Sequence, residues 1–354
     1  MIRMRIDELR PGMRVARPVY SEDGQILLQA GVELKKSFID RLRAKGFYAI
    51  YVDDGESAGE NVDLVISDEL RSKVTGQVKT VFEKVARGEG LDLAGIVSTI
   101  DSLVDEVLAN RHVVYSLSEI RSVDNYTFAH SVNVCVLSCL LGLHFGFSRD
   151  DLRELALGAI LHDIGKVKIA PELLAKTGRL DIHEMEEMKR HPRLGFEMLR
   201  DCEGISLRTA HVAYQHHERL DGRGYPRGLK GDAIHPFARI AMVVDTFDAM
   251  TSERVYRRAV PQHLSLALIG RMAGRQFPLD VVRALQQRVA KYPVGSRVRL
   301  DTGEMGVVVD VDRLRPDRPR VRLLEDAKGK PISGFVLIDL GLEKNRQVSE
   351  VIGG

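Results

Sequence analysis

The sequence predicts a mainly α protein: a helical bundle with a small α+β N-terminal module and a small β C-terminal appendage. Three observations predict this. Apolar residues recur at helical spacing through most of 62–292, whereas residues 1–53 read as short strands around one helix. From Pro293-Val294-Gly295 onward, Val and Arg alternate between frequent turns. The 354 residues suit two or three domains at roughly 150 residues each. We divide the chain into an accessory module (1–60), a helical connector (61–120), a helical domain (121–292) and the β-rich appendage (293–354).

Pro11-Gly12 marks a turn, and Asp23-Gly24 between Val19-Tyr20 and Ile26-Leu27-Leu28 marks a hairpin. Leu34, Phe38, Leu42 and Ala44 give 34–45 an apolar helix face, with Gly46 as its stop. Phe47–Val52 then alternates as a strand, and 53–60 is an acidic, Gly/Ser-rich linker. Val74, Val78, Val81, Phe82 and Val85 stripe one helix, which Gly88-Glu89-Gly90 ends. Ile96, Ile100, Leu103, Val104 and Val107 stripe the next. Near the C-terminus, Val298, Leu300, Val307–Val309, Val321 and Phe335–Ile338 read as short strands.

Lys and Arg total 52 against 50 Asp and Glu, a formal charge of +2, which excludes a strongly electrostatic nucleic-acid binder. A hydrophobic fraction of 44% excludes disorder of the whole chain. The three cysteines imply no disulfide framework and suit a reducing compartment; Cys135 and Cys139 read as buried on one helix face. The start of the sequence carries no apolar signal core, and the uncharged stretch 131–148 reads as a core helix rather than a membrane span. A cytoplasmic location, with no membrane or nucleic-acid polymer as partner, is expected.

The chemistry lies in the helical middle. His130 opens the 132–143 helix, His162-Asp163 ends a helix beginning near Leu152, and His191-Pro192 closes one beginning at Asp181, where Asp181 and Glu184 form a capping box. His216-His217-Glu218 follows the helix around 211–215, then comes Asp221-Gly222-Arg223-Gly224-Tyr225-Pro226, and Asp245 sits in the apolar run 240–247. Imidazoles suit first-row transition metals, and a carboxylate can bridge two of them. Two such ions about 3.5–4 Å apart can hold a bridging hydroxide and clamp a phosphodiester. Singly, each piece is bland: a cap, a core histidine, a solvated helix end, a turn. The ordered combination is specific.

His162-Asp163-Ile164-Gly165-Lys166 followed by His216 through Pro226 resembles the HD-GYP subgroup of the HD phosphohydrolase superfamily. The resemblance extends over about 110–292, through 126–134, 176–180, His191-Pro192 and 244–251. It implies an HD-type helical bundle and a metal-dependent cyclic di-GMP phosphodiesterase. Such an enzyme opens the ring to pGpG, and often continues to GMP, by attack of a hydroxide bridging two metals, iron or manganese.

Carried over by position, Asp163 bridges and His162 also ligates; His130 and Asp245 serve one metal, and His191, His216 and His217 the other. Some relatives hold a third metal through a Glu where this chain has Tyr126, so two ions are expected. Lys166 is assigned a catalytic role at the phosphate, and Arg254 and Arg257 substrate binding, where a planar guanidinium fork suits phosphate oxygens. Many relatives have Pro in place of Val255. Glu218 orients a ligand histidine or supports the following loop. The 222–226 loop is implied to contact GGDEF-domain partners, and a homodimer is a further expectation. His112, His144, His183, His211, His235 and His263 match no ligand position. Two alternatives stand beside this reading: a catalytically weak cyclic-dinucleotide sensor or scaffold, and a hydrolase of another cyclic dinucleotide.

Overall fold

The computed structural model describes residues 1–21, 25–47, 49–53, 64–115, 126–252 and 259–352. The Asp23-Gly24 turn, the 54–60 part of the linker, Arg254, Arg257 and the Tyr126 side chain lie outside the described residues.

The N-terminal module pairs β1 (Ile2–Arg5), β5 (Ala49–Asp53) and β2 (Arg14–Val15) in that antiparallel order. A ribbon of β3 (Val19–Tyr20) and β4 (Ile26–Leu28) and the helix α1 (Lys36–Ala44) complete it. Val15, Val19, Leu34, Ile39, Leu42 and Ile50 form its core. The helix begins two residues later than expected, and Ile39 rather than Ala44 completes its buried face; Ala44 is exposed.

Two long helices, α2 (Asp68–Ala86) and α3 (Ala94–Ala109), bury the expected Val/Phe and Ile/Leu/Val stripes. They share one core with the bundle formed by α4 (Tyr126–His144), α5 (Arg149–Ile160) and the helices that follow. A helix that is apolar all round must be buried. α4 meets this condition, with 130–142 buried on every side and packed against α2, α3, α5 and α10 (Pro236–Thr251). Cys135 and Cys139 lie there, both fully buried. α5 starts at Arg149 rather than near Leu152, because Ser148 caps it with Asp151 in a reciprocal capping box.

One helix reads differently from expectation. After the one-turn helix α6 (Pro171–Leu174), the helix capped by Asp181, α7 (Ile182–Met188), stops before His191, and His191 opens α8 (His191–Arg200). Proline lacks an amide N–H and has φ preset for a helix's first turn, so Pro192 starts a helix rather than closing one. α9 (Leu207–Gln215), α11 (Gln262–Met272) and α12 (Leu279–Arg288) complete the bundle.

The C-terminal module is an antiparallel five-stranded sheet. Its order is β10 (Val348–Ile352), β6 (Arg297–Leu300), β7 (Met305–Asp310), β8 (Arg320–Glu325) and β9 (Leu337–Asp339). β9 starts at Leu337, and Phe335 and Val336 precede it, both exposed. Ile2 of β1 packs with Val307 and Val309 of β7, so the two terminal modules touch. Among the described residues, no helix is long and apolar enough to cross a membrane.

Candidate metal centre

Five elements deliver the histidines and aspartates to one place. α5 ends at Ile160 and the chain turns through His162-Asp163 into a short 3-10 helix, Ile164–Lys168. His191 comes from the start of α8, His216 and His217 from the end of α9, His130 from the first turns of α4, and Asp245 from the middle of α10. Gly165 fixes the closest approach: a Cβ there would lie 2.0 Å from the His191 carbonyl oxygen and 2.5 Å from the Gly195 amide nitrogen. Only a residue without a side chain lets the His162-Asp163 turn and α8 meet backbone to backbone.

The imidazoles then form a connected group. Ring centroids are 5.3 Å apart for His130–His162, 4.9 Å for His162–His216 and 5.1 Å for His191–His217. His162, Asp163, His191 and His216 are each at most 2% exposed. Among the described residues, three sets of candidate ligand atoms each fall within 4.8 Å: His130, His162 and Asp245; His162, Asp163 and His216; His191, His216 and His217. His162 belongs to the first two sets and His216 to the last two, which links all three.

The outer nitrogens are fixed. His162 Nδ1 faces the Ala159 carbonyl at 2.6 Å, His191 Nδ1 the Met188 carbonyl at 2.7 Å, and His216 Nδ1 the Ala213 carbonyl at 2.9 Å. A carbonyl only accepts, so each Nδ1 carries the proton and each Nε2 presents a lone pair inward. Burial drives the His191 imidazole down to about 3 and holds His216 well below the usual range, so both rings are neutral at pH 7. Their Nε2 atoms nevertheless stand 3.3 Å apart. His162 Nε2 and Asp163 Oδ1 are buried with no hydrogen-bond partner. Converging lone pairs and an orphaned carboxylate oxygen are the arrangement a cation satisfies.

The carboxylates are held ionised. Burial would raise Asp163, but the Lys166 ammonium 2.6 Å from Oδ2 is foremost in holding it well below the usual carboxylate range. Asp245 is likewise depressed, against burial, by its hydrogen bond with His130. Burial alone would lower His130; its hydrogen bonds to Asp245 and Asp248 push it up to about 9.

Of the remaining expected site residues, Lys166 places Nζ 2.6 Å from Asp163 Oδ2 and leaves 30% of its side chain exposed. Glu218 accepts the Arg227 N–H at 2.8 Å and the Leu229 N–H at 2.9 Å, so it supports the loop beyond Gly222–Pro226 rather than a ligand histidine. Tyr225 of that loop lies over His217, with ring centroids 4.7 Å apart. Outside the centre, His211 stacks on Phe196 and His235 Nδ1 accepts the Phe237 N–H.

Sequence reasoning missed Asp248, which lies one turn after Asp245 and accepts from His130 Nδ1 at 2.7 Å. The available signal was its i+3 spacing from Asp245 within an apolar helix.

Removing the Glu218 carboxylate strands two backbone donors in a half-buried loop. Glu218→Ala is expected to cost about 1–3 kcal/mol. Urea unfolding checks this; an unchanged midpoint would mean that water replaces the carboxylate at no cost.

Comparison with known proteins follows the same outline. Residues 118–281 match the HD domain family, and 297–353 match the KOW domain associated with HD domains. The chain is 34% identical over 284 residues to the cyclic di-GMP phosphodiesterase PA4108 of Pseudomonas aeruginosa, covering 80% of this chain and 68% of that protein. It is 38% identical over 144 residues to 3′3′-cGAMP-specific phosphodiesterase 3 of Vibrio cholerae, covering 41% of this chain and 31% of that one. Among solved structures, the HD-GYP-type protein Bd1817 of Bdellovibrio bacteriovorus superposes with a TM-score of 0.53 at 17% identity, covering 80% of this chain and 97% of that one, a likeness of fold. HD-type helices, the His/Asp cluster they assemble, and identity over two thirds of a relative together place this chain in the HD-GYP family of HD-domain proteins.

Proposed function

We propose that the chain is a metal-dependent phosphodiesterase that hydrolyses cyclic di-GMP to pGpG. The observation that carries the metal dependence is the 3.3 Å approach of the His191 and His216 Nε2 atoms beside the unpartnered Asp163 Oδ1. In our reading His130, His162, Asp163 and Asp245 hold one divalent ion, and Asp163, His191, His216 and His217 the other. Imidazole and carboxylate donors together suit iron or manganese. When bound, the ions supply Lewis acidity that activates water and offsets the negative charge of the phosphodiester.

The protein's own groups do the rest. The carbonyls of Ala159, Met188 and Ala213 keep the inner nitrogens unprotonated. Lys166 lends a cation that can move from Asp163 to a phosphate oxygen as charge develops there. Arg254 and Arg257 are proposed to grip the substrate phosphates. Residues 121–292 would carry the catalysis, with 1–60, 61–120 and 293–354 as supporting segments. Cytoplasmic location, contact of the Gly222–Pro226 loop with GGDEF proteins, and a homodimer belong to the same proposal. Three free cysteines, two of them fully buried, suit a reducing compartment.

The test is turnover of cyclic di-GMP by protein purified without oxygen, with metal content measured on the same sample. Metal-dependent pGpG formation, lost in His162→Ala, is expected. Two tightly held ions without turnover would sink the phosphodiesterase reading. The likeness to the cGAMP-specific enzyme favours a second reading, hydrolysis of a hybrid cyclic dinucleotide. Competition between the two substrates in one assay separates them.

A further inference from the structure

His130 is supported by a chain of buried polar groups that leads out of the segment matched to the HD domain. Asp248 is 1% exposed. Its Oδ2 accepts from His130 Nδ1 at 2.7 Å and from the Ser252 hydroxyl at 3.1 Å. Its Oδ1 accepts from Asn133 Nδ2 at 2.6 Å. Asn133, also 1% exposed and one turn after His130 on α4, accepts at Oδ1 from the Arg71 guanidinium at 2.8 Å. Each partner fixes the next. A carboxylate admits only the amide's N–H side and a guanidinium only its oxygen, so the Asn133 amide has one orientation.

Arg71 lies on α2, before the matched residues 118–281. Three residues earlier, Asp68 in the first turn of α2 takes both its oxygens to Arg17 of the N-terminal module, at 2.9 and 2.8 Å. The same helix end therefore anchors the accessory module and reaches the metal centre.

We infer that Arg71, acting through Asn133 and Asp248, positions His130 and so sets the affinity of the metal site that His130 shares with Asp245. This rests on the metal-centre reading above. Arg71 and Asn133 are positioning residues: they touch neither metal nor substrate. Outer hydrogen-bond partners of ligating histidines are typically worth roughly 10–100-fold in metal affinity.

The test uses the full chain, stripped of metal and titrated with Mn2+ against a chromophoric chelator. Each metal-free variant is also melted. Arg71→Met and Asn133→Ala are each expected to weaken one of the two Mn2+ ions by about 10–100-fold and to leave the other within about twofold. Because the groups act in series, the double variant is expected to lose no more than the worse single variant. Arg71→Lys, which keeps a donor for Asn133, is expected to recover most of the loss. Both ions bound within twofold of wild type in both single variants would overturn the inference. So would equal weakening of both ions in step with a fall in melting temperature, the mark of a merely structural role. A wild-type chain that takes up no Mn2+ would instead overturn the metal-centre reading, and this inference with it.

Discussion

Asp163→Ala is expected to remove both metal binding and hydrolysis. In our reading this carboxylate serves both ions, so its loss should exceed the roughly 10–100-fold that an outer partner costs. Cyclic di-GMP turnover should fall below detection. The metal-free fold should survive, because Lys166 is 30% exposed and water can solvate it once its partner is gone. Asp163→Asn separates shape from charge: it keeps the volume and one neutral donor oxygen, and should lose nearly as much. Metal analysis and product chromatography on the same samples provide the check. Two ions retained, with turnover within tenfold of wild type, would remove Asp163 from the centre.

Gly165→Ala is expected to produce the largest loss of stability by a single methyl group. The new Cβ would meet the His191 carbonyl at 2.0 Å, and backbone cannot rotate aside as a side chain can. The 3-10 turn and α8 would have to separate by more than 1 Å. Overpacking of this kind typically costs 1–3 kcal/mol, and a backbone clash belongs at or above about 3 kcal/mol. At roughly 2–4 °C per kcal/mol, melting should fall by about 6–12 °C. Metal affinity should fall with it, since the separation parts His162 and Asp163 from His191. Gly76→Ala is the control: it adds a Cβ in open space on α2, where alanine's helix propensity should add about 0.5–1 kcal/mol. Equal melting of Gly165→Ala and wild type would show that the two backbones are not in contact.

The helical middle was legible because its stripes are long: Val74 to Val85 and Ile96 to Val107 bury the faces their spacing predicts. The seven candidate ligands were legible as residue types in order, but their convergence was not. It depends on contacts such as Gly165 against His191, which join elements distant in sequence. His191 was placed at the wrong end of its helix because the Asp181 cap was read through to Pro192, although Pro192 itself signals a start. Asp248 escaped notice because an Asp one turn from a ligand looks the same in sequence whether it faces solvent or His130. Phe335 and Val336 look like strand residues, yet both are exposed ahead of β9; apolar runs this short carry little register information.

The contact of Ile2 with Val307 and Val309 bears on how the chain is made. Its partners are about 300 residues apart, and so distant a contact forms only after the intervening chain has been synthesised and compacted. During elongation from the N-terminus, β1 finds β5 early but keeps the Ile2 face bare until β7 leaves the ribosome. A nascent chain released at residue 293 therefore carries a finished helical bundle and an uncovered apolar strand face. It is the species a holdase chaperone would be expected to retain, and a chain that includes β7 the one it would let go.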